Sequence, residues 1–318
     1  NTFAGTLLSR NIKIILFIIE NHIRSFLSNI DENSFYSNSE SSIVISGSGA
    51  ELFNRFLLRD AKKKGLDTVN IVHGGFFGVL DEPIWGNDGD SFLADYIIGY
   101  GKAHSEKHKK STFIKMKNSK YFYRNSSLEG IFLKNKSKVI DSSKNSIFYF
   151  PTSLCGTRHR HGPFQDIPDQ LYIKWQNKIL KLFNYNITLK EHPKEKYRYL
   201  YPKRKCKSSN AKFLELISEV DVYVFDYYST IFLEACNTNK PIIFFDLGIR
   251  NFSIDALKKI KKRVIYFDIL NKDLPKLSEV QKKLSNFKMN YEFIENYSIS
   301  KKITDKSNSI LDSITKVL

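Results

Sequence analysis

The chain contains little cysteine, proline and glycine for its length: three Cys, eight Pro and 15 Gly among 318 residues. An odd number of cysteines without paired spacing argues against a disulfide framework and against a zinc site, and it favours a reducing compartment. So few prolines and glycines exclude a collagen-like or low-complexity architecture. The most apolar stretch near the start, residues 12–19, is interrupted by Lys13 and is too short to cross a bilayer. The first residue is Asn1 rather than Met, as expected of a piece excised from a longer polypeptide.

Apolar, aromatic and basic residues are abundant instead. Hydrophobic residues make up 42% of the chain and aromatic residues 14%, which excludes general disorder, and the length suits one large or two medium domains. The 50 Lys and Arg exceed the 33 Asp and Glu, so the net charge of +17 should attract anions, although a coding bias toward Lys would produce the same excess. The basic runs at 107–117, 190–207 and 258–263 lack the signature of an RNA-recognition module. We therefore expect phosphorylated ligands or an anionic membrane surface, and no nucleic acid.

Strand and helix patterns that alternate along the chain predict an α/β fold. In the first half, a strand at 43–47, a helix at 51–64 and a strand at 68–72 form a β-α-β unit. Such a unit forces parallel pairing with a right-handed crossover. A helix at 7–27 precedes the unit, and a further strand is predicted at 96–99.

A stretch rich in Lys, Asn and Ser at 118–145 predicts a domain boundary. After it the pattern restarts, with strands at 146–150, 186–190, 221–225, 241–245 and 264–267 and helices at 169–183, 211–219 and 230–236. We predict an N-terminal, acceptor-side domain over 1–140, lacking some upstream elements, and a C-terminal domain over 141–318 that binds a nucleotide donor. Both would be doubly wound, Rossmann-like domains that face a cleft, with ligands at the carboxyl ends of their strands.

Chemically active side chains follow four of the predicted strands. They are His73, Thr152, His192, Asp226, Ser229, Thr230 and Glu234. Ser229 and Thr230 begin a helix, whose unpaired N–H groups and dipole suit a phosphate group, although a serine in this place is equally typical of an ordinary helix cap. Glu234 lies one turn further on the same helix face, in a position to accept hydrogen bonds from ribose hydroxyls. The joint placement of these residues carries the prediction, since each alone is weak.

The two histidines suit different roles. His192 is followed by Pro193, which favours an extended backbone at the strand end, and it is suited to donate to the same phosphate group. His73 belongs to the other predicted domain and is followed by two glycines that permit close approach. Because the ordinary pKa of histidine lies near working pH, His73 is the better candidate for a general base.

Four segments resemble a known family: Ile-Phe-Tyr-Phe-Pro-Thr at 147–152, Leu-Lys-Glu-His-Pro at 189–193, Asp-Val-Tyr-Val-Phe-Asp-Tyr-Tyr-Ser-Thr at 221–230 and Asn-Lys-Pro-Ile-Ile-Phe-Phe at 239–245. They resemble segments of the CDP-glycerol glycerophosphotransferases of teichoic acid synthesis. More loosely, they are similar to bacterial sialyltransferases and Kdo transferases, which share the GT-B fold. The His-Gly at 73–74 is similar to one in the first domain of the family.

The resemblance implies a GT-B-like fold and a role for each matched residue. His192, Ser229 and Thr230 would bind the donor phosphate, with Thr152 and Asp226 in the same donor site. Glu234 would bind the ribose, and His73 would act as the base toward an acceptor hydroxyl.

The sequence departs from the family at several sites. The second hydroxyl is Thr230 rather than a serine, and Tyr228 stands before Ser229. The arginine expected soon after Pro-Thr is displaced to Arg158 or Arg160, and we assign Arg158 to the donor site. The acidic-acidic-Gly motif that supplies the base in sialyltransferases has only a faint counterpart at 87–89. Its Asp88 is a second candidate for the catalytic base, with Asp90 beside it.

The resemblance therefore implies a transferase of bacterial surface polysaccharide assembly. It would move a glycosyl group, such as a nonulosonate or Kdo, or a glycerol-phosphate group from a CMP- or CDP-linked donor to an oligosaccharide or lipid-linked glycan. We expect no metal and no cofactor beyond this donor, and a cytoplasmic location at the inner face of the membrane.

Two alternatives stay open. The first is a nucleotide-sugar 2-epimerase of the same fold, whose pattern this chain matches loosely at Asp226, Ser229, Glu234, Ala235, Lys240 and Pro241. The chain lacks the Gly-Gly after the serine and the paired glutamates of those epimerases. A non-catalytic module that binds anionic ligands would need only the basic runs.

Overall fold

The computed structural model describes residues 43–47, 52–72, 75, 78–81, 93–103, 106, 120–124, 146–152, 169–192, 206–207, 211–270 and 272–298. The predicted helix at 7–27 and the predicted boundary near residue 140 lie outside these ranges. The described residues form two parallel sheets with connecting helices, which confirms the predicted α/β class. None of the described helices is both long enough and apolar enough to span a membrane.

The first sheet is assembled from strands in their sequence order. It contains β1 (Ile43–Ser46), β2 (Asp67–Ile71), β3 (Tyr96–Tyr100) and β4 (Lys120–Arg124), all parallel. Helix α1 (Leu52–Lys63) connects β1 to β2 and confirms the predicted β-α-β unit. β4 lies in a stretch for which the sequence predicts no strand. Its three aromatic residues favour a strand, but the polar residues on both sides of them are typical of a loop.

The second sheet is larger and has a different topology. Its strands are β5 (Ile147–Phe150), β6 (Thr188–Lys190), β7 (Cys206–Lys207), β8 (Val222–Phe225), β9 (Ile242–Asp246) and β10 (Ile265–Asp268). The described helices of this half are α2 (Asp169–Leu182), α3 (Phe213–Leu216), α4 (Thr230–Cys236), α5 (Ile254–Arg263), α6 (Leu277–Ser285) and α7 (Glu292–Tyr297). The sequence predicts five of these strands and the first three helices. It misses β7, α5, α6 and α7. The basic run at 258–263 lies in the last turns of α5.

The strand order of the second sheet is β10-β9-β8-β5-β6-β7, and all pairs are parallel. This is the order of a doubly wound dinucleotide-binding sheet. The chain winds outward from β5 in one direction and from its neighbour β8 in the other, so the strand order reverses between them. Phe150 of β5 pairs with Phe225 of β8, and the two strands therefore end side by side. In such sheets the crevice at the reversal is where ligands bind.

Alternating residues of the second sheet build an apolar cluster on each face. Phe148, Phe225 and Phe244 belong to one cluster, and Tyr149 and Val224 belong to the other. Each of these side chains is nearly inaccessible to solvent, and burial of one Phe contributes about 1.5–3 kcal/mol. These near-continuous apolar runs explain why the strands are visible in the sequence.

The two halves share one of these clusters. Val72, Ile97 and Tyr100 from the first half belong to the cluster of Phe148 and Phe225. Backbone hydrogen bonds also cross between the halves, from Ser253 N to Val79 O at 2.9 Å and from Asp81 N to Asn251 O at 2.7 Å.

Glycine allows one further contact between the halves. At Gly101, which has a φ of +57°, a Cβ would collide with the backbone of Asn296 and Tyr297 at α7. The first sheet and the last helix are thus in direct contact. The sheets are separate, and the division into domains at residue 140 stays a prediction, since that residue is outside the described ranges.

Candidate functional site

The described strand ends bring several of the predicted residues to one edge of the second sheet. Thr152 follows β5, His192 follows β6, and Asp226 follows β8. Because β6, β5 and β8 are neighbours in the sheet, these three residues lie at the carboxyl ends of adjacent strands. The strand order, which the sequence does not disclose, therefore confirms that they share an edge, and it places Thr152 and Asp226 at the reversal.

Asp226 is buried at this reversal, with 2% of its surface exposed. Its carboxylate accepts a hydrogen bond from the hydroxyl of Tyr149 at 2.5 Å and another from the hydroxyl of Tyr172 at 2.8 Å. Burial raises the pKa of the Asp226 carboxyl to about 7, although the two hydroxyl donors lower it. Asp226 thus connects the end of β8 to Tyr149 of β5 and to Tyr172. Its direct contact with a donor stays a prediction.

Tyr172 links three elements at the site. It lies on α2, donates to Asp226 and accepts a hydrogen bond from the backbone N–H of Thr152 at 3.1 Å. Burial and then the charge of Asp226 raise the pKa of Tyr172 well above its ordinary value, so it stays a neutral donor. The turn after β5 and the turn after β8 are therefore fixed to the same helix.

Ser229 has the geometry of a helix cap. Its extended backbone precedes α4, and its Oγ accepts a hydrogen bond from the N–H of Phe232 at 3.3 Å. Thr230, the first residue of α4, is half-buried. The hydroxyl proton of Ser229 remains able to donate, so the cap and a phosphate contact are chemically compatible.

Glu234 and His192 keep the positions that the sequence predicts for them. Glu234 is half-buried on α4, one turn after Thr230. His192 is half-buried two residues after the end of β6. His192 therefore lies at the end of the strand beside β5, and Glu234 lies one turn inside the helix that follows β8.

Two cations at this edge were not predicted as site residues. Lys190, the last residue of β6, is 4% exposed and donates to the carbonyl of Glu191 at 2.8 Å, and burial lowers its pKa. Arg250 lies in the turn after β9 and is 7% exposed. Its guanidinium donates to the hydroxyl of Tyr227 at 2.6 Å, next to Asp226 in the chain. In the sequence, both are basic residues at or shortly after the end of a predicted strand.

The remaining predicted site residues, His73, Asp88 and Arg158, lie outside the described residues. Close to His73 in the chain, Gly75 is described, and its carbonyl accepts a hydrogen bond from the buried hydroxyl of Tyr228 at 2.8 Å. A Cβ at Gly75 would collide with the side chain of Leu233 on α4. Gly75 thus packs against the helix that Ser229 caps, which accounts for a glycine at this position. The role that we predict for the glycine pair toward an acceptor stays a prediction.

Lys240 has a structural role in this half. The ammonium of Lys240, which the epimerase pattern includes, donates to the carbonyls of Ile217 and Val220. Among the described residues, no group of three His, Cys, Asp or Glu is placed to hold a metal ion.

No protein-family model matches the chain, and no curated protein matches it. The chemistry of the strand ends therefore has to indicate the ligand. Hydroxyl groups, an imidazole, a helix N-terminus and buried cations lie along one edge, and this combination of donors suits an anionic group such as a phosphate. Glu234, one helical turn away, adds an acceptor suited to hydroxyls.

Proposed function

We propose that the chain is a transferase of bacterial surface polysaccharide assembly. It moves a glycosyl group, such as a nonulosonate or Kdo, or a glycerol-phosphate group from a CMP- or CDP-linked donor to an acceptor hydroxyl. The observation that carries the proposal is the reversal of strand order between β5 and β8, with Thr152, Asp226 and Ser229 following those two strands. Nucleotides bind at such reversals because loops from both directions of winding leave a crevice there.

Each donor-site residue has a part in this proposal. Ser229 and Thr230 donate to the donor phosphate at the start of α4, and His192 donates to it from the end of β6. Glu234 accepts hydrogen bonds from the ribose hydroxyls. Asp226 acts as a positioning residue, since Tyr149 and Tyr172 separate it from solvent and fix the turns that carry the donors. Among the positions outside the described residues, we assign Arg158 to the donor site.

The acceptor side rests on the first half of the chain. We propose a GT-B-like arrangement in which His73, or Asp88 in its place, takes the proton of the acceptor hydroxyl. The acceptor is an oligosaccharide or lipid-linked glycan, and the reaction takes place on the cytoplasmic side of the membrane, where the basic surface holds the protein near anionic lipid. Gly75, two residues after His73 in the chain, packs against α4 of the donor-binding half.

Nucleotide binding by serine variants tests the donor site with a matched control. Ser229 caps α4 and Ser253 caps α5, and each Oγ accepts a hydrogen bond from the residue three positions later. Ser229→Ala and Ser253→Ala should therefore lose similar capping energy, about 1 kcal/mol. Only Ser229→Ala should weaken CDP or CMP binding in calorimetry, by roughly tenfold to a hundredfold, because a hydrogen bond to a charged phosphate contributes about 1.5–3 kcal/mol. Equal nucleotide affinity in both variants would overturn the donor site.

Turnover distinguishes the proposed transferase from the alternatives. The protein is incubated with CMP-, CDP- or UDP-linked donors, with and without an oligosaccharide acceptor. Release of nucleotide that depends on the acceptor supports the transferase. Conversion of the donor sugar without nucleotide release would instead identify an epimerase, and nucleotide-independent binding of anions alone would identify a binding module.

A further inference from the structure

A groove lies at the β10 edge of the second sheet, away from the reversal between β5 and β8. It has a volume of about 920 Å³ and is lined by β10, the last turn of α5, and α6 with the residues after it. Six lysines line it: Lys261, Lys262, Lys272, Lys282, Lys283 and Lys288. We call it the lysine groove.

The charge of the lysine groove is only partly compensated. Its lining has two carboxylates, Asp268 and Glu279, which pair with Lys272 at 3.3 Å and with Lys283 at 3.5 Å. Lys262 pairs with a carboxylate outside the lining at 2.8 Å. Within the ranges that the structure describes, Lys282 and Lys288 are exposed and have no ion pair. The groove therefore has an excess of positive charge that a ligand can neutralise.

Lysines flank both faces of the edge strand. The ammonium of Lys261 lies 4.8 Å from the ring centre of Tyr266, and that of Lys283 lies 4.2 Å from the ring centre of Phe267. Since successive side chains of a strand point to opposite faces, these two lysines stand on opposite sides of β10. Among the described strands, β10 pairs with β9 alone, so its outer backbone edge, which lies between these lysines, has no strand partner there.

This arrangement favours an extended polyanion with hydroxyl groups. A flat bilayer meets only the rim of a groove, whereas a chain can lie in it and neutralise charge on both sides. Single-stranded RNA binds largely by stacking its bases on open aromatic rings, but lysines cover the rings of Tyr266 and Phe267. Hydroxyl groups can use the N–H and C=O groups of the strand edge singly. Strand addition by an acidic peptide, in contrast, uses main-chain hydrogen bonds along the strand edge, and β10 offers only four residues for them.

We propose that the lysine groove binds an extended acidic glycan that carries phosphate or carboxylate groups along its length. The identification of this glycan with the acceptor rests on the proposed function. β10 is two strands from β8, and neighbouring parallel strands lie about 4.8 Å apart, so the carboxyl ends of the two strands are separated by roughly 10 Å. A chain held in the groove can therefore extend toward the donor site along the same sheet edge.

Charge reversal with a matched control tests the groove. Lys282→Glu/Lys288→Glu removes two of the lining lysines that have no ion pair among the described residues, and Lys174→Glu/Lys178→Glu makes the same change in net charge on the exposed side of α2. Binding of a fluorescein-labelled heparin hexasaccharide, a linear acidic glycan, is measured by anisotropy at several salt concentrations. The groove variant should bind about tenfold more weakly than the original chain, the control should change less than about twofold, and salt should weaken binding in every case. Thermal unfolding of both variants checks that these surface changes leave the fold intact.

Three results would overturn the proposal: no binding of the hexasaccharide, equal weakening in both variants, or a larger effect of the groove variant on an oligouridylate or on phosphatidylglycerol vesicles than on the hexasaccharide. Calorimetry with CDP on the same variants separates this inference from the proposed function. CDP binding should be unchanged in the groove variant. Glycan binding in the groove without any CDP binding to the original chain would contradict the donor site and leave the groove assignment standing.

Discussion

Asp226 and Arg263 are both buried charged residues of the second half, and they lie at opposite ends of α4. Asp226 precedes the helix and is held by two tyrosine hydroxyls. Arg263 donates from Nε to the carbonyl of Cys236 at 2.9 Å and from Nη2 to that of Thr238 at 2.6 Å, where α4 ends. The positive charge of Arg263 is favourable at the C-terminal end of the helix dipole.

The two residues differ in what their partners allow. Backbone carbonyls can only accept, so Arg263 has to stay charged and fixed, as part of the scaffold. Hydroxyl groups can donate or accept, so the partners of Asp226 tolerate both a carboxylate and a carboxylic acid. Only Asp226 lies at the strand reversal, and its pKa is raised to about 7. The comparison therefore separates a residue whose charge is fixed in the fold from one whose charge can change near neutral pH.

Arg263→Met should have the largest effect on stability. It leaves several buried carbonyls at the end of α4 without a donor, and we expect it to lower the free energy of unfolding by about 3–5 kcal/mol. Urea unfolding of this variant and of Lys258→Met, an exposed lysine on the same helix, provides the measurement. A similar small loss in both variants would show that the carbonyl contacts of Arg263 contribute little.

Asp226→Asn should change how stability depends on pH. The folded-state pKa of Asp226 is raised above its unfolded value of about 3.8, so the folded state holds the proton more tightly. The contribution of Asp226 is therefore fully present below about pH 4 and is lost as the pH rises through about 7, at a cost of about 2–4 kcal/mol. The amide mimics the protonated acid, so the variant should gain stability relative to the original chain as the pH rises. Parallel unfolding free energies of the two proteins between pH 4 and about 8 would contradict the raised pKa.

Tyr172→Phe should have a smaller effect. The change removes a donor to Asp226 and an acceptor for the N–H of Thr152, which should cost about 1–2 kcal/mol of unfolding free energy. Loss of the donor should also raise the pKa of Asp226 further and shift the pH dependence upward. Tyr185→Phe, at an exposed position, is the control. Equal stability and equal pH profiles of the two variants would contradict the contribution of Tyr172 to stability and to the pKa of Asp226.

Local sequence patterns were sufficient for most of the fold near the site. Buried strands such as β8 and β9 are continuous apolar runs, and the first helix follows an amphipathic pattern, so their positions can be predicted. α5 and α6 are rich in lysine and present only narrow apolar faces, so their sequence pattern does not predict a buried helix. The strand order depends on pairing between distant segments, which a pattern along the chain does not encode.

The candidate site shows the same division. Ser229 and His192 stand directly after apolar strands, so the sequence identifies them as candidates. The partners of Asp226 do not follow from spacing, because Tyr149 and Tyr172 are 77 and 54 residues away in the chain. Burial of Lys190 likewise depends on the neighbours of β6 in the folded sheet. Long-range packing, rather than local propensity, decides which polar residues become part of the site.

Hydrogen exchange with and without CDP tests the central claim most directly, since it reports where the nucleotide binds without any substitution. We expect slower amide exchange at residues 190–192 and 226–232, where β6 and β8 end, and unchanged exchange at 253–263, which includes the capping serine of α5 and Arg263. Protection confined to other parts of the chain, or unchanged exchange throughout at saturating CDP, would contradict a nucleotide site at the reversal between β5 and β8.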